Sequence, residues 1–495
     1  MTVLSVIQLS AQNIEDALRY GQDNLSGTAR FTALSGAFGA LGGDISAFNI
    51  NPAGSSIFLY NNATISLTVD DVDNVSLLSG TQAGASDVDF TIGNAGAVYV
   101  FEHTNENAKW KKFSIGISYH SQNNFENELF ISGSTSNTIG RFFVEQANGV
   151  PLELLQTLEG ESISSLYAFL GETEGVRAQN AFLGFQGFVI DPAQGSNNQY
   201  ISNTGTGRFN KDFLLASDGL QGKYTFNFSG QYSDNWFFGI NLNGHTVDYR
   251  QASFLRETNN NSNSSTKRVG FENNLSTIGS GFSAQFGIIT KIKENMRLGI
   301  SYDTPTWYIL NEETIQYLDS SRLEDGNTIN TVVDPNIINV FADYRLTTPG
   351  KLTASAAYIF GKNGLLSFDY SYQDFSTLKL RPTSDPFFNS VNNNIENVLG
   401  GVSTYRLGGE YRIGLISLRG GMHLEESPYK DDFVIGDRSG FSGGIGVNLG
   451  NYFLDFAYTR SEQEFNQDYY NLGLVDVANI NTTQQQFIFS LGLNL

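Results

Sequence analysis

The chain has 495 residues, 40% hydrophobic and 16% charged, and it holds no run of about 18 uncharged apolar positions, which excludes transmembrane helices. Its formal charge of −21, from 29 basic and 50 acidic residues with no compensating Lys/Arg run, cannot neutralise a phosphate backbone, so nucleic acid is excluded as a partner. The absence of cysteine and the four scattered histidines argue against a disulfide framework or a metal centre, and no cofactor is expected.

The segment Thr2 to Ala11 is short, apolar and ends in small residues, so 1–11 reads as the tail of a truncated secretory signal peptide without its basic start. Residues 12–62 are rich in Ala and Gly, with a helical period around Ile14 to Tyr20, and are expected to form a plug. From Thr64 onward the pattern changes to a period of two. Phe113, Ile115, Ile117 and Tyr119 alternate with Ser114, Gly116, Ser118 and His120. Trp236, Phe238, Ile240 and Leu242 alternate with Phe237, Gly239, Asn241 and Asn243, and the split recurs to the end of the chain.

Fourteen such stretches are predicted: 63–70, 88–101, 112–131, 221–232, 236–256, 277–293, 296–316, 350–360, 364–380, 402–413, 414–425, 439–449, 452–466 and 483–495. Short connections such as 233–235 and 361–363 alternate with long ones such as 317–349 and 381–401, the pattern of short turns on one side of a membrane and long loops on the other. A soluble sandwich also alternates, but it would carry its charges on the outside. Here Asp369, Glu410, Arg419 and Asp455 share the polar face, and Tyr302, Tyr358, Tyr372 and Tyr458 are placed for aromatic girdles. The expected fold is therefore all-β, a fourteen-stranded antiparallel transmembrane β-barrel over 63–495. An insertion at 132–220 interrupts it. In that insertion Gly140 to Leu170 reads as one or two amphipathic helices carrying Phe142, Phe143, Leu154, Leu155, Leu158, Leu166 and Phe169, which either pack on the rim or form a landing surface for a ligand or protein partner.

The motif Asn51-Pro52-Ala53-Gly54, preceded by the small-residue run from Ala33 to Asp44, resembles the N-terminal hatch of the outer-membrane long-chain fatty-acid transporter family, the FadL/OmpP1/TodX type. Leu298 to Tyr308, Thr348 to Tyr358, Phe368 to Ser376, Tyr405 to Tyr411 and Gly420 to Pro428 resemble that family's later strands in order. The resemblance covers roughly 30–131 and 221–495. It implies a barrel closed by a hatch at 12–62, in the outer membrane of a Gram-negative bacterium, working as a monomer. Such a barrel captures hydrophobic compounds such as fatty acids at the loops, binds them beside the hatch and releases them sideways into outer-membrane lipid through a gap where the third strand kinks. The collapse of alternation at Ser121, Gln122, Asn123, Asn124 and Phe125 is the candidate kink, against the plainer reading of an ordinary bulge.

A carboxylate ligand calls for a cation in the lumen. Lys379 matches a basic position of the family and shares parity with Asp369, Ser371 and Gln373; Arg250 is the second candidate, although its parity is that of Trp236 and Phe238. Arg406, Arg412, Arg419, Asp369, Glu410 and Asp455 are also consistent with interior ion pairs that merely hold a plug. No P-loop, HExxH or nucleophile-elbow pattern occurs, so catalysis is not expected. The alternative function is a non-transporting barrel that acts as a subunit or scaffold of an outer-membrane assembly such as a secretion complex, with 132–220 as its docking surface.

Overall fold

The computed structural model describes residues 13–105, 107–470 and 472–495; the expected signal segment 1–11 lies outside them. No helix among the described residues is long and apolar enough to cross a membrane, and the membrane-facing surface is made by strands. These are β1 (Asn62–Leu78), β2 (Thr81–Glu102), β3 (Trp110–Asn124, resuming as Asn127–Thr135), β4 (Phe209–Tyr232), β5 (Trp236–Thr258) and β6 (Thr266–Lys293). β7 (Met296–Asp303, resuming as Trp307–Glu324), β8 (Tyr344–Thr347 and Lys351–Ile359), β9 (Gly364–Asp374) and β10 (Gly401–Ile413) follow. β11 (Ile416–Glu425), β12 (Arg438–Asn448), β13 (Tyr452–Asp468) and β14 (Val477–Asn494) complete the set. Each pairs antiparallel with the next, and β14 returns to β1, with Asn62 opposite Asn494. The result is a closed fourteen-stranded barrel.

The alternation is inverted relative to a soluble protein. Phe113, Ile115 and Ile117 are 48%, 42% and 49% exposed, whereas Ser114 and Ser118 between them are 1% and 3% exposed. A continuous apolar outer face with a polar interior is stable only where lipid replaces water outside. Tyr302, Leu352 and Tyr372 stand in one cross-strand row, and Tyr358 lies at the other end of the same strand as Leu352. At about 3.4 Å per residue the Leu352 to Tyr358 run spans roughly 20 Å, which suits an apolar band about 25 Å tall.

Three departures from the sequence reading have clear causes. Residues 71–87, which lie between two predicted stretches, belong to strands: β1 and β2 run on as a long hairpin whose tip is Ser79 and Gly80 with φ of 48° and 85°. The outward apolar residues here are Val75 and Leu77, too sparse among Asp and Ser to register as a period. The stretch 296–316 is broken at Thr304-Pro305-Thr306, because proline has no N–H to give the ladder. β4 begins at Phe209 and β3 extends to Thr135, so long strands project well past the apolar band and the insertion between them is shorter than 132–220.

That insertion folds as a cap of three helices, α3 (Ile139–Ala147), α4 (Ile163–Thr173) and α5 (Val176–Gln186). Its α1 and α2 counterparts belong to the N-terminal segment, at Ile14–Gly21 and Ala29–Ala33. Phe142, Phe143, Leu155, Leu166 and Leu170 are buried against the projecting strands, where Phe142 and Phe143 meet Phe271 at ring-centroid distances of 6.0 and 5.3 Å. Leu154 packs at the edge of this cluster, while Leu158 and Phe169 remain exposed. The predicted helices therefore pack on the rim with most of their apolar surface.

The start of α3 is pinned by Glu257, near the end of β5, which accepts from the backbone N–H of Ile139 at 2.9 Å and from the Thr138 hydroxyl. Burial pushes the Glu257 carboxyl up to about 7, opposed by those two hydrogen bonds and by Lys211, and reinforced by Asp476. Lys211 is itself paired with Asp476 at 2.7 Å. Because the folded-state value lies above the ordinary one, this contribution to docking is complete in acid and lost as pH rises through about 7. Hydrogen exchange in α3, corrected for its intrinsic pH dependence, is expected to show greater opening at about pH 8 than at about pH 5 in the native chain and no such difference in Glu257→Gln. An unchanged pH dependence in that variant would assign the effect elsewhere.

Candidate functional site

The segment 13–61 folds inside the barrel, where the side chains of the strands hold it. Asn51 is the central fastener. Its Oδ1 accepts from Ala53 N at 3.1 Å, capping the short helix Pro52–Ile57, while its Nδ2 donates to the carbonyls of Gly39 and Ile288 at 2.8 and 3.2 Å. Proline suits the first helical position because the N–H it lacks would have no partner there. Three inward glycines make room: a Cβ on Gly287 would overlap Asn51 Oδ1, one on Gly239 would overlap the Pro52 backbone, and one on Gly299 would overlap the Gly39 carbonyl. Barrel amides complete the seat, with Asn227, Asn241 and Gln285 donating to the carbonyls of Pro52, Phe48 and Asn49 at 2.9, 2.8 and 2.9 Å.

On the opposite wall Glu410 accepts from Arg30 of the hatch at 3.0 Å and pairs with Arg412 and Arg419 at 2.6 and 2.8 Å. Arg419 also reaches Asp455 at 2.5 Å, and Asp369 accepts from Gly39 N at 2.9 Å. Of the interior charges foreseen as plug-holding pairs, Glu410 and Asp369 bond to the hatch directly, Arg412, Arg419 and Asp455 join Glu410 in a network within the wall, and Arg406 forms no ion pair among the described residues.

The third strand leaves the wall where the alternation collapses. The β2–β3 ladder ends at Asn94–His120, and the β3–β4 register shifts between Ser121 and Asn123. Beyond that point β3 turns inward across β1: Asn74 Nδ2 donates to the Glu128 carbonyl and Ser76 Oγ to the Phe130 carbonyl, both at 2.7 Å. The β2 edge from Thr81 to Gly93 is consequently unpaired on its β3 side. The turned-in residues grip the hatch. Asn24 N donates to Asn123 Oδ1 at 3.1 Å, Asn123 Nδ2 to the Gln22 carbonyl at 2.8 Å, and Gln122 Nε2 to Asp23. Asn124 Nδ2 donates to Asp89 of β2 at 2.9 Å. Thr91, Ser121 and Gln122 border a void of about 10 Å³, room for little more than one water molecule.

Phe125 ends the kink and faces an apolar chamber above the hatch. Tyr249, Tyr308, Leu310, Tyr344 and Phe388 line the chamber, and Ala17, Leu18 and Tyr20 of α1 fill it. Phe125 meets Tyr20 and Tyr249 edge-on at 6.2 and 5.0 Å, and Arg19 lies over the Tyr249 ring at 4.1 Å.

Neither sequence-picked cation faces this chamber's polar floor. Lys379 is exposed, because the 3₁₀ turn Phe375–Thr377 intervenes after β9 and cancels the parity that linked it to Asp369. The Arg250 side chain is 61% exposed and pairs with Asp248 and Asp218 at 3.4 and 3.6 Å. The cation in place is Lys223 on β4, which sequence reasoning passed over although it shares the polar parity of Thr225 and Asn227. It is 8% exposed, flanked in register by His120 and His245, and has no hydrogen bond or ion pair among the described residues. Nearby Asp23 is taken up by Lys351 at 2.6 Å.

No family model and no curated protein matches the chain in sequence. Solved structures do match in shape. A FadL homologue of Pseudomonas aeruginosa superposes with a TM-score of 0.55 at 13% identity, covering 96% of this chain and 99% of that one. The toluene transporter TodX of Pseudomonas putida does so with a TM-score of 0.51 at 12% identity, over 95% and 99% of the two chains. The chain has the FadL-type fold. Within that fold Asn51 is one of the residues that seat the hatch, and its loss strands buried carbonyls at a cost of about 1–3 kcal/mol. Asn51→Ala is therefore expected to raise ion conductance through the barrel in planar bilayers while leaving the barrel folded; conductance equal to the native chain would remove Asn51 from that role.

Proposed function

We propose that this chain is an outer-membrane transporter of hydrophobic small molecules, which it takes from the long-loop side, binds in the chamber beside the hatch and releases sideways into the bilayer. The observation that carries the reading is the interrupted wall: the β2 edge from Thr81 to Gly93 lacks its β3 partner, and the diverted residues bind the hatch instead. A lateral exit suits an apolar cargo, since each CH₂ moved out of water gains about 0.8 kcal/mol, which a water-filled pore would not supply. The fold is shared with a protein described as a toluene transporter, in line with an apolar cargo.

Fatty acids or similar amphiphiles fit the chamber's chemistry. The aromatic lining, now occupied by Leu18 and Tyr20, takes a chain or ring, and Lys223 below it offers an ammonium with no partner of its own. Bond-making plays no part in this scheme. The scaffold alternative loses support from the cap, whose apolar residues are mostly spent on the rim.

Three outcomes test the reading. The chain contains no cysteine, so Thr91→Cys with Ser121→Cys, joined by a short thiol cross-linker, is expected to block uptake of a labelled fatty acid into cells, with recovery when a cleavable linker is reduced. Full uptake in the cross-linked state would exclude this gap as the exit. Lys223→Gln is expected to weaken binding of a fatty acid about tenfold and that of the matching hydrocarbon hardly at all, the loss of one charge-assisted hydrogen bond. Equal losses for both ligands would mean that Lys223 supports the wall rather than the head group. Native mass spectrometry of the detergent-extracted protein is expected to find a bound amphiphile; stoichiometric protein partners instead, lost on removal of the cap, would favour the scaffold.

A further inference from the structure

Beneath the hatch, at the short-turn end, three cations face inward from different strands. Lys112 of β3 is buried and its Nζ donates to the Phe58 carbonyl. Arg297 of β7 donates from Nη1 to the Leu41 carbonyl at 2.7 Å, and Lys291 of β6 lies over the Phe237 ring at 5.0 Å. Lys291 and Arg297 are direct partners in the antiparallel register, an arrangement that like charges destabilise. Among the described residues none of the three has a carboxylate at ion-pair distance. The nearest acids are Asp234 toward Lys291 and Glu102 in register with Lys112. Arg30, the neighbouring cation, is neutralised by Glu410, which makes the contrast local. Arg297 Nε is in addition buried without a hydrogen-bond partner.

In a chain of formal charge −21, three unneutralised cations converging on one face need a counter-charge. The hydrogen-bonding capacity left over is that of two ammonium groups and one edge of a guanidinium. A tetrahedral oxyanion meets this set better than a planar carboxylate, because its several oxygens accept from donors on different strands at once and it carries up to two charges. We propose that Lys112, Lys291 and Arg297 bind a phosphate group presented from the short-turn side of the hatch. The site is separate from the apolar chamber and from Lys223, so it stands or falls independently of the transport reading.

The phosphate could belong to a lipid head group or to a soluble compound, and the experiment separates them. Titration of the full chain in a nonionic detergent with inorganic phosphate is expected to show one site that weakens about tenfold in Lys291→Gln with Arg297→Gln and is kept in Lys291→Arg. Transfer into nanodiscs of phosphatidylglycerol or phosphatidylcholine, followed by native mass spectrometry, reads the source. Retained phosphatidylglycerol that phosphate displaces identifies a lipid head group, whereas phosphate binding with no retained lipid identifies a soluble phosphate compound. If the double variant fails to fold, as judged by heat-modifiable gel migration, acylation of Lys291 in the native chain replaces it: phosphate slows the reaction several-fold and chloride at equal ionic strength does not. No phosphate binding in the native chain, undiminished binding in a folded double variant, or acylation indifferent to phosphate would overturn the proposal.

Discussion

Lipid offers no hydrogen-bond partner, so a chain that crosses it in strands must pair each backbone group with a neighbouring strand until the ring closes. That constraint accounts for the antiparallel circuit from Asn62 back to Asn494, for the outward placement of Phe, Ile, Leu and Tyr, and for the inward placement of Ser, Asn, Gln and the charges. It also makes the parting of β3 from β2 informative. Where β3 abandons β2 at His120, side chains take over part of the ladder's work: Asn74 and Ser76 satisfy carbonyls of the diverted segment, and Asn123 and Asn24 tie it to the hatch.

A polar interior in turn decides how the hatch is held. The wall is mostly polar, so beside small apolar contacts such as Phe48 with Val98 and Ala53 with Phe237 and Ile289, the hatch is fastened by amides reading its carbonyls, by Glu410 gathering three guanidiniums, and by glycines that let backbone meet backbone. Buried ion pairs of this kind are worth more for orientation than for net stability, since desolvation offsets much of their attraction. The seat is consequently specific in register and direction. A separate apolar cluster lies above the hatch, where α1, Phe125 and the aromatic residues of β5, β7 and β8 form the chamber.

The chamber, the kink and the hatch therefore share residues. Arg19 caps the Tyr249 ring while its neighbours in α1 occupy the apolar space, and the segment that follows at once, Gln22 to Asn24, is hydrogen-bonded to the kink. A ligand that displaces α1 from the chamber must disturb the same turn that holds β3 inward. The cationic underside lies at the other end of the hatch, beneath Leu41 and Phe58, and touches none of these groups.

The period of two, the inverted polarity and the spacing of turns were enough to read a fourteen-stranded barrel from sequence, because each strand records in its own alternation which face meets lipid. The Asn51-Pro52 motif and the loss of alternation at 121–125 were likewise local and visible. Parity failed wherever the chain left the strand: the 3₁₀ turn at Phe375 carried Lys379 to the surface, and the hairpin through Ser79 was hidden by sparse apolar residues. What only the tertiary structure decided is which residues from distant strands converge. Lys223 became a cation without a partner, and Lys112, Lys291 and Arg297 became a cluster, only after ring closure brought their strands around the same hatch. Lys112 and Lys291 stand in short basic stretches, 109–112 and 291–293, but nothing in the sequence shows that these meet, because a barrel assembles its interior from separate strands.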